Sequence, residues 1–396
     1  MFEPYNTKEI PSPCYVLEGK KLRRNLQLIS RVADETGAEF ILALKAFALW
    51  RTFPIFRYYI RHTTASSPFE ARMSAEHFGG LTCTYSPAYE EKTFEEILKY
   101  SGHVTMNSLS QLERFMPAVE KWNADPDNHQ VSLGLRINPE YSEIETELYN
   151  PCAPGSRFGV LEQQLPEQLP SELEGLHFHC LCENDSTTLV KVLQHVEKHF
   201  SHWLPQVKWI NMGGGHLITR GDYHVDVLIK TLKDFRQRHP HLKVMLEPGS
   251  AFLWHTGFLV SDVVDIVENH GIRTAILNVS FTCHMPDCLE MPYWPTVRGA
   301  ETLPEPETTE DTAHQPNVYR LGGNSCLSGD FMGLWRFEHS LQIGEKIIFE
   351  DMIHYTTVKT NMFNGIEHPS IMLLHADGSK ELIKSFSYED YRDRMC

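Results

Sequence analysis

Short runs of apolar and β-branched residues alternate with amphipathic stretches through much of the chain. The runs fall at residues 39–44, 63–66, 81–85, 104–106, 131–137, 176–180, 207–212 and 244–246. Most are separated by segments whose apolar residues recur at helical spacing, such as 69–78, 93–100, 109–121, 187–200 and 225–239. Ahead of them, Cys14-Tyr-Val-Leu17 reads as a strand. Leu22, Leu26, Ile29 and Ala33 then mark one face of a helix that stops at Gly37. Eight strands alternating with helices predict an α/β fold, a (β/α)8 barrel of the TIM type; periodicity alone leaves an open doubly wound sheet as the rival. After Gly249 the texture changes, and residues 257–267, 272–279, 318–321 and 343–349 read as strands with few helices between them. Two domains are expected: a barrel over 20–254, and a mostly β C-terminal domain of 255–396 joined by the N-terminal strand in 1–19. Residues 300–317, rich in Pro, Thr and acidic residues, read as an exposed loop, and the irregular insertion 140–155 as a lid.

Composition narrows the partners. A formal net charge of −16 over 396 residues argues against a nucleic-acid partner, because binding its phosphates needs a basic face. The acidic surface would steer a cationic substrate, although acidic balance more often serves solubility alone. The longest apolar run, 40–50, is interrupted by Lys45 and is too short to cross a bilayer. No basic segment followed by an apolar one opens the chain, and nine scattered cysteines suggest reduced thiols. These features point to a cytoplasmic protein with no membrane partner.

In such a barrel, chemistry gathers at the C-terminal ends of the strands. Five reactive features fall there: Lys45 after Ile41-Leu-Ala-Leu44, Arg136 in Gly134-Leu-Arg, the pair His177 and His179, the triplet Gly213-Gly214-Gly215, and Glu247 before Pro248-Gly249. Lys45 is flanked by Ala43, Leu44, Ala46 and Phe47. An apolar shell of that kind would disfavour the ammonium and free the amine for Schiff-base chemistry, although most such lysines simply keep their heads in water. The triplet, read as opening a helix, would bring backbone N–H groups to a phosphate; glycines also make plain turns. Glu247 suits the nitrogen of a pyridine ring or, equally, a surface ion pair. His177-Phe-His179-Cys180-Leu-Cys182 holds metal-ligand residue types. On a strand, however, the histidines face one way and the cysteines the other, so a ring-stacking histidine is expected and no metal. Cys326, in Gly322-Gly-Asn-Ser-Cys-Leu-Ser-Gly-Asp330, sits in a polar glycine-rich loop expected to be exposed and shaped by unusual backbone angles. That makes it a candidate proton donor rather than a packed thiol.

These motifs, with Tyr355 and Phe363-Asn364-Gly365, resemble in order and over most of the chain the alanine-racemase-like, fold-type III pyridoxal-phosphate enzymes. Within that class, Ala43-Leu-Lys-Ala-Phe47, Cys283-His-Met-Pro-Asp287-Cys-Leu-Glu290 and the Cys326 segment are most similar to carboxynorspermidine/carboxyspermidine decarboxylases. The resemblance implies a homodimer that decarboxylates a cationic carboxylated polyamine with pyridoxal 5'-phosphate. Lys45 would carry the cofactor, and His179 would stack on its ring. Gly213, Gly214, Gly215 and Tyr355 would hold the phosphate, Glu247 would pair with the ring nitrogen, and Arg136 would support the cofactor indirectly. Cys326 of the other subunit would return a proton to the substrate, and Asp287, Glu290 and Asp330 would bind it. Ser250 follows Glu247-Pro-Gly where diaminopimelate and ornithine enzymes usually place an arginine, which weakens the case for a distal carboxylate. Those enzymes, arginine decarboxylases and a non-catalytic cofactor carrier remain the competing readings.

Overall fold

The computed structural model describes residues 9–291, 293–303 and 314–396. Residues 304–313 of the expected loop and 1–8 of the expected β domain lie outside them. The chain divides into two compact units, Arg23–Trp254 and a second made of the N-terminal segment to Leu22 with His255–Cys396. Strand β1 (Cys14–Glu18), buried at every position, is followed by helix α1 (Gly19–Thr36), whose Leu22, Leu26, Ile29 and Val32 face inward.

The first unit is a closed parallel barrel. Its strands are β2 (Glu39–Phe40), β3 (Leu42–Ala43), β4 (Thr63–Ala65), β5 (Thr82–Tyr85), β6 (Ser101–Met106), β7 (Ser132–Arg136), β8 (Leu173–His177), β9 (Trp209–Asn211) and β10 (Lys243–Leu246). From β3 to β10 each pairs with the next, and β10 pairs in turn with β2. β2 and β3 are two halves of one strand parted at Ile41. Phe40 lies in register with Leu246 of β10 while Leu42 lies in register with Thr63 of β4, so the broken strand closes the ring. Helices α2 (Phe53–Arg57), α3 (Pro68–Met73), α4 (Glu91–Tyr100), α5 (Leu109–Ala124), α6 (Ser186–Phe200), α7 (Val225–Arg238) and the short α8 (Ser250–Leu253) connect the strands. Ser67, Ser108 and Asp185 cap α3, α5 and α6 by accepting from first-turn backbone N–H groups.

The barrel interior is filled around Trp209, which clusters with Ile41, Cys83 and Met245. Its indole lies over Gly134 and Gly175, where an added Cβ would come within 2.3 and 2.0 Å of the ring, and its N–H donates to Ser132 Oγ at 2.8 Å. Two neighbouring strands thus give up side chains to accommodate one large one, the interdigitation a close-packed core requires. The 140–155 insertion is pinned rather than loose. Glu143 accepts from Thr188 Oγ1 at 2.6 Å and pairs with Lys191, both on α6, and Tyr141 stacks on His195 of the same helix.

The second unit is a mixed sheet of β1, β11 (Gly257–Asn269), β12 (Ile272–Leu277), β13 (Ala300–Thr302), β14 (Val318–Gly322), β15 (Phe331–Phe337), β16 (Lys346–Glu350), β17 (Ser370–Leu374) and β18 (Lys380–Lys384), with helices α9 (Phe281–His284) and α10 (Pro286–Glu290) between β12 and β13. The N-terminal strand joins it as expected, antiparallel to β11 and parallel to β17. β13, β15, β17 and β18 were not anticipated, and β13 with the buried Leu303 opens the stretch read as an exposed loop. Ser370-Ile-Met-Leu-Leu374 is a continuous apolar run, and such a run carries no period to tell strand from helix. Among the described residues no helix is long and apolar enough to cross a membrane.

Candidate active site

Because all the barrel strands are parallel, the residues that follow them share one rim. Lys45 lies in the turn after β3, where Ala46 N–H donates to Ala43 O and Phe47 N–H to Leu44 O. The expectation of an apolar shell around it is not met. Ala43, Leu44, Ala46 and Phe47 are buried while Lys45 itself is exposed.

Glu247 ends β10 and is nearly buried. One carboxylate oxygen meets His177 Nε2 at 3.1 Å and the other accepts from Asn211 Nδ2 at 3.1 Å. Burial works against its charge, but the hydrogen-bonded His177, His179 and the Lys45 ammonium outweigh it and hold the carboxyl below its usual range. His177 is driven the other way, chiefly by desolvation, against the pull of Glu247. The two are joined by one buried hydrogen bond, and among the described residues His177 Nδ1 is buried without a hydrogen-bond partner. Burial, followed by Lys45 and Arg136, lowers His179 well below an ordinary histidine.

Strand β8 stops at His177, so His177 and His179 do not share a strand face as expected. His179 sits in the loop beyond, where its Nδ1 accepts from Gly214 N–H at 2.9 Å. The glycine triplet is also placed differently. α7 begins at Val225, well past Gly215, so no helix dipole acts at the triplet. The backbone itself demands the glycines. Gly213 and Gly215 have φ of 71° and 86°, and a Cβ on Gly214 would stand 2.4 Å from Glu247 O. The Gly213 and Gly214 N–H groups already serve Asn211 Oδ1 and His179.

Arg136 is buried between the rings of Tyr85 and Phe158, 4.8 and 4.5 Å from their centroids, and donates to His179 O at 3.1 Å. It holds the loop that carries His179. Sequence reasoning missed Asn211, Tyr85 and Glu70. Asn211 was legible as a polar residue ending an apolar strand. Glu70, in the first turn of α3, is raised by burial while Ser66 N–H and the Lys45 ammonium oppose the shift.

The other expected residues lie in the second unit. Cys326 is exposed, and its N–H donates to Asn364 Oδ1 at 2.9 Å. Its loop is organised by Asp330, whose buried carboxylate accepts from Phe281, Thr282 and Ser325 N–H at 2.8, 3.2 and 3.2 Å. Asp330, expected to bind substrate, has its carboxylate engaged by these three backbone donors, which shape the loop. The loop's glycines also differ from expectation. Gly322, Gly323 and Gly329 have no positive φ, and Gly323 is needed for space, since a Cβ there would meet Asp330 Oδ2 at 2.2 Å. Asp287 is buried; Oδ2 accepts from Tyr293 Oη and Thr356 Oγ1 at 3.0 and 3.2 Å, and Oδ1 has no hydrogen-bond partner among the described residues. Glu290 is exposed and pairs with Lys359. Tyr355 has φ 52° and ψ −45°, a strained conformation for a residue with a side chain.

Comparison with known proteins decides the chemistry of the rim. Residues 14–353 match the family model described as pyridoxal-dependent decarboxylase, C-terminal sheet domain. The chain belongs to the pyridoxal-dependent decarboxylase family. It is 48% identical to a carboxyaminopropylagmatine decarboxylase of Synechocystis sp., over 98% of this chain and 96% of that one. It is 42% identical to a carboxynorspermidine/carboxyspermidine decarboxylase of Campylobacter jejuni, over 97% and 98%. A solved carboxynorspermidine decarboxylase from Campylobacter jejuni, complexed with norspermidine, superposes with a TM-score of 0.87 at 40% identity, over 97% of this chain and all of that one. A diaminopimelate decarboxylase from Helicobacter pylori, 16% identical with a TM-score of 0.79 over 98% of both chains, shares the fold. This pyridoxal-dependent decarboxylase is thus an enzyme whose cofactor is pyridoxal phosphate, and the rim fits that group. An exposed primary amine and a buried carboxylate held ionised in its field are what a pyridine aldehyde requires.

Proposed function

We propose that this decarboxylase acts on carboxynorspermidine and carboxyspermidine, yielding norspermidine and spermidine. One observation carries the reading. Enzymes named for those substrates are 42% and 35% identical along nearly the whole chain, whereas ornithine and diaminopimelate decarboxylases stay at 22% and 24% over about two thirds of it. The Synechocystis relative supports a second reading within the same substrate class, a carboxylated polyamine ending in a guanidinium. Either is a cation, which the charge of −16 favours by steering.

In this scheme the Lys45 amine would hold the cofactor. Glu247, oriented by His177 and Asn211, would pair with the ring nitrogen, and His179, on the loop braced by Arg136, would stack on the ring. Bound there, pyridoxal phosphate supplies the electron sink for the pair left on Cα when carbon dioxide departs. Gly215 and the strained Tyr355 are assigned to the phosphate, with Gly213 and Gly214 assigned through the turn that presents Gly215, since their own N–H groups serve Asn211 and His179. Cys326, from a second copy of the chain, returns a proton to Cα. Asp330 is assigned to positioning that thiol, while Asp287 and Glu290 receive the distal cations. The unpartnered Asp287 Oδ1 supports its role. The nine free thiols support a cytoplasmic location.

The test is carbon dioxide release from carboxynorspermidine, carboxyspermidine, carboxyaminopropylagmatine, diaminopimelate, ornithine and arginine. Turnover confined to the first two supports the proposal. Preference for carboxyaminopropylagmatine selects the guanidinium reading, and turnover of the simple amino acids overturns both.

A further inference from the structure

The segment directly after β16 runs through an unusual backbone. Asp351 and Tyr355 have φ of 61° and 52°, and His255, just ahead of β11, has φ of 54°. None is a glycine, and residues with a side chain rarely adopt such angles. Tyr355 combines its φ with ψ of −45°, and Thr356 N–H donates to His354 O at 2.5 Å. Tyr355 is therefore the centre of a γ-turn of the rarer, strained hand. Strained turns persist only where their surroundings over-determine them, and here the restraints converge on one carboxylate. Asp351 Oδ1 accepts from His255 N–H at 2.7 Å, and Oδ2 lies 3.2 Å from His354 Nε2. The Asp351 N–H itself donates to Gly257 O at 2.8 Å. Between Asp351 and the turn, Ile353 is buried against Gly257, where an added Cβ would come within 2.4 Å of the Ile353 Cγ1. Beyond the turn, the buried Thr356 donates to Asp287, and Thr357 Oγ1 donates to Ile353 O at 2.8 Å. Asp351 has no part in the decarboxylation scheme.

We propose that Asp351 is a positioning residue for the cofactor phosphate, its carboxylate latching the strained turn on which Tyr355 is mounted. The inference rests on the assignment of Tyr355 to that phosphate. Aspartate suits the place. A short polar side chain tolerates positive φ better than most, and its two oxygens serve two partners at once. If φ at Tyr355 returned to a negative value, the ring would leave its direction. The latch holds the turn in that direction before a ligand arrives, so binding does not have to supply the strain. Without the carboxylate, His255 N–H and His354 lose their common partner, and the mounted state of Tyr355 becomes one of several. The loss falls on the phosphate end alone, since Lys45 and Glu247 are set by β3 and β10.

The test compares pyridoxal phosphate with pyridoxal, which lacks the phosphate, in absorbance titrations of the full-length enzyme stripped of cofactor. Asp351→Gly removes the carboxylate but keeps a residue at ease with positive φ. It should weaken pyridoxal phosphate roughly tenfold, the scale of the strain in one such turn, and leave the Kd of pyridoxal unchanged. Asp351→Asn, which tolerates the same angle and still accepts from His255 N–H, should restore most of the affinity. If Asp351→Gly does not fold, His354→Ala should show the same split between the two aldehydes. Equal weakening of both aldehydes, or of neither, overturns the inference. Tyr355→Phe separates it from the reading beneath. If that variant binds pyridoxal phosphate as tightly as wild type, the assignment of Tyr355 fails and the inference falls with it. If Tyr355→Phe weakens binding while Asp351→Gly does not, the assignment stands and the latch alone is refuted.

Discussion

Three residues show how closely single side chains are tied to their place. Gly214 has no room for a methyl group, because the obstacle is the backbone of Glu247 rather than a movable side chain. Gly214→Ala should cost about 1–3 kcal/mol of stability and displace Glu247. Thermal unfolding should show a lower Tm, and titration with cofactor a weaker Kd. Asp330→Ala should leave cofactor absorbance intact but lower kcat by roughly a hundredfold, the scale of a misplaced reacting group; a loss seen in KM alone would return Asp330 to the substrate. Asp287→Asn removes a charge from a buried site with one oxygen unsatisfied, so KM for the cationic substrate should rise severalfold or more with kcat less affected. At this scale the sequence was informative about residue type and poor about surroundings. Lys45, Glu247 and Cys326 stood out by motif. That Lys45 is exposed among buried neighbours, and that Asp330 serves backbone N–H groups, depends on which way a turn faces, and a one-dimensional pattern does not carry that.

Among the elements, the barrel strands were legible because each is a short apolar run followed by a helical period, a signal that repeats along the chain. β8 ends earlier than its apolar pattern suggests, since Phe178, Cys180 and Leu181 are buried in a loop rather than on a strand. β17 and β18 escaped notice because a continuous apolar run and a charged edge strand both lack the alternation that marks a half-buried strand. The insertion read as a lid has a specific anchor. The Glu143 carboxyl is lowered to about 2, mainly by its hydrogen bonds to Lys191 and Thr188. A depressed carboxyl contributes stability that is present above its unfolded value of 4.5 and is lost as pH falls towards 2. Glu143→Ala should therefore speed amide exchange and proteolysis within 140–155 at neutral pH and make little difference near pH 2. Equal exchange in variant and wild type at pH 7 would mean that the contacts of Tyr141 and Ser142 hold the insertion alone.

For the whole molecule, acid is the predicted weakness. His216 in the barrel unit and His284 in the sheet unit are buried, and desolvation lowers them from 6.5 to about 4 and about 3. A base whose folded pKa is depressed takes up its proton more readily in the unfolded state. Stability is therefore full above about 6.5 and falls as pH drops towards the folded value. At pH 5 each histidine should cost its unit about 2 kcal/mol. Denaturant midpoints followed separately for the two units should both fall between pH 7 and pH 5; His216→Gln should flatten the barrel's share. The barrel itself has a seam where its first and last strands meet, with Ala43 N–H donating to Pro248 O at 3.2 Å and Phe40 in register with Leu246. Lys45 and Glu247 stand on the two sides of that seam. A chain emerging from the ribosome displays the lysine early, yet has no carboxylate to set beside it until β10 has been made and docked. On the proposed assignment the cofactor would meet Lys45 and Glu247 only in a ring already shut, and its retention would double as a report that the barrel has been completed.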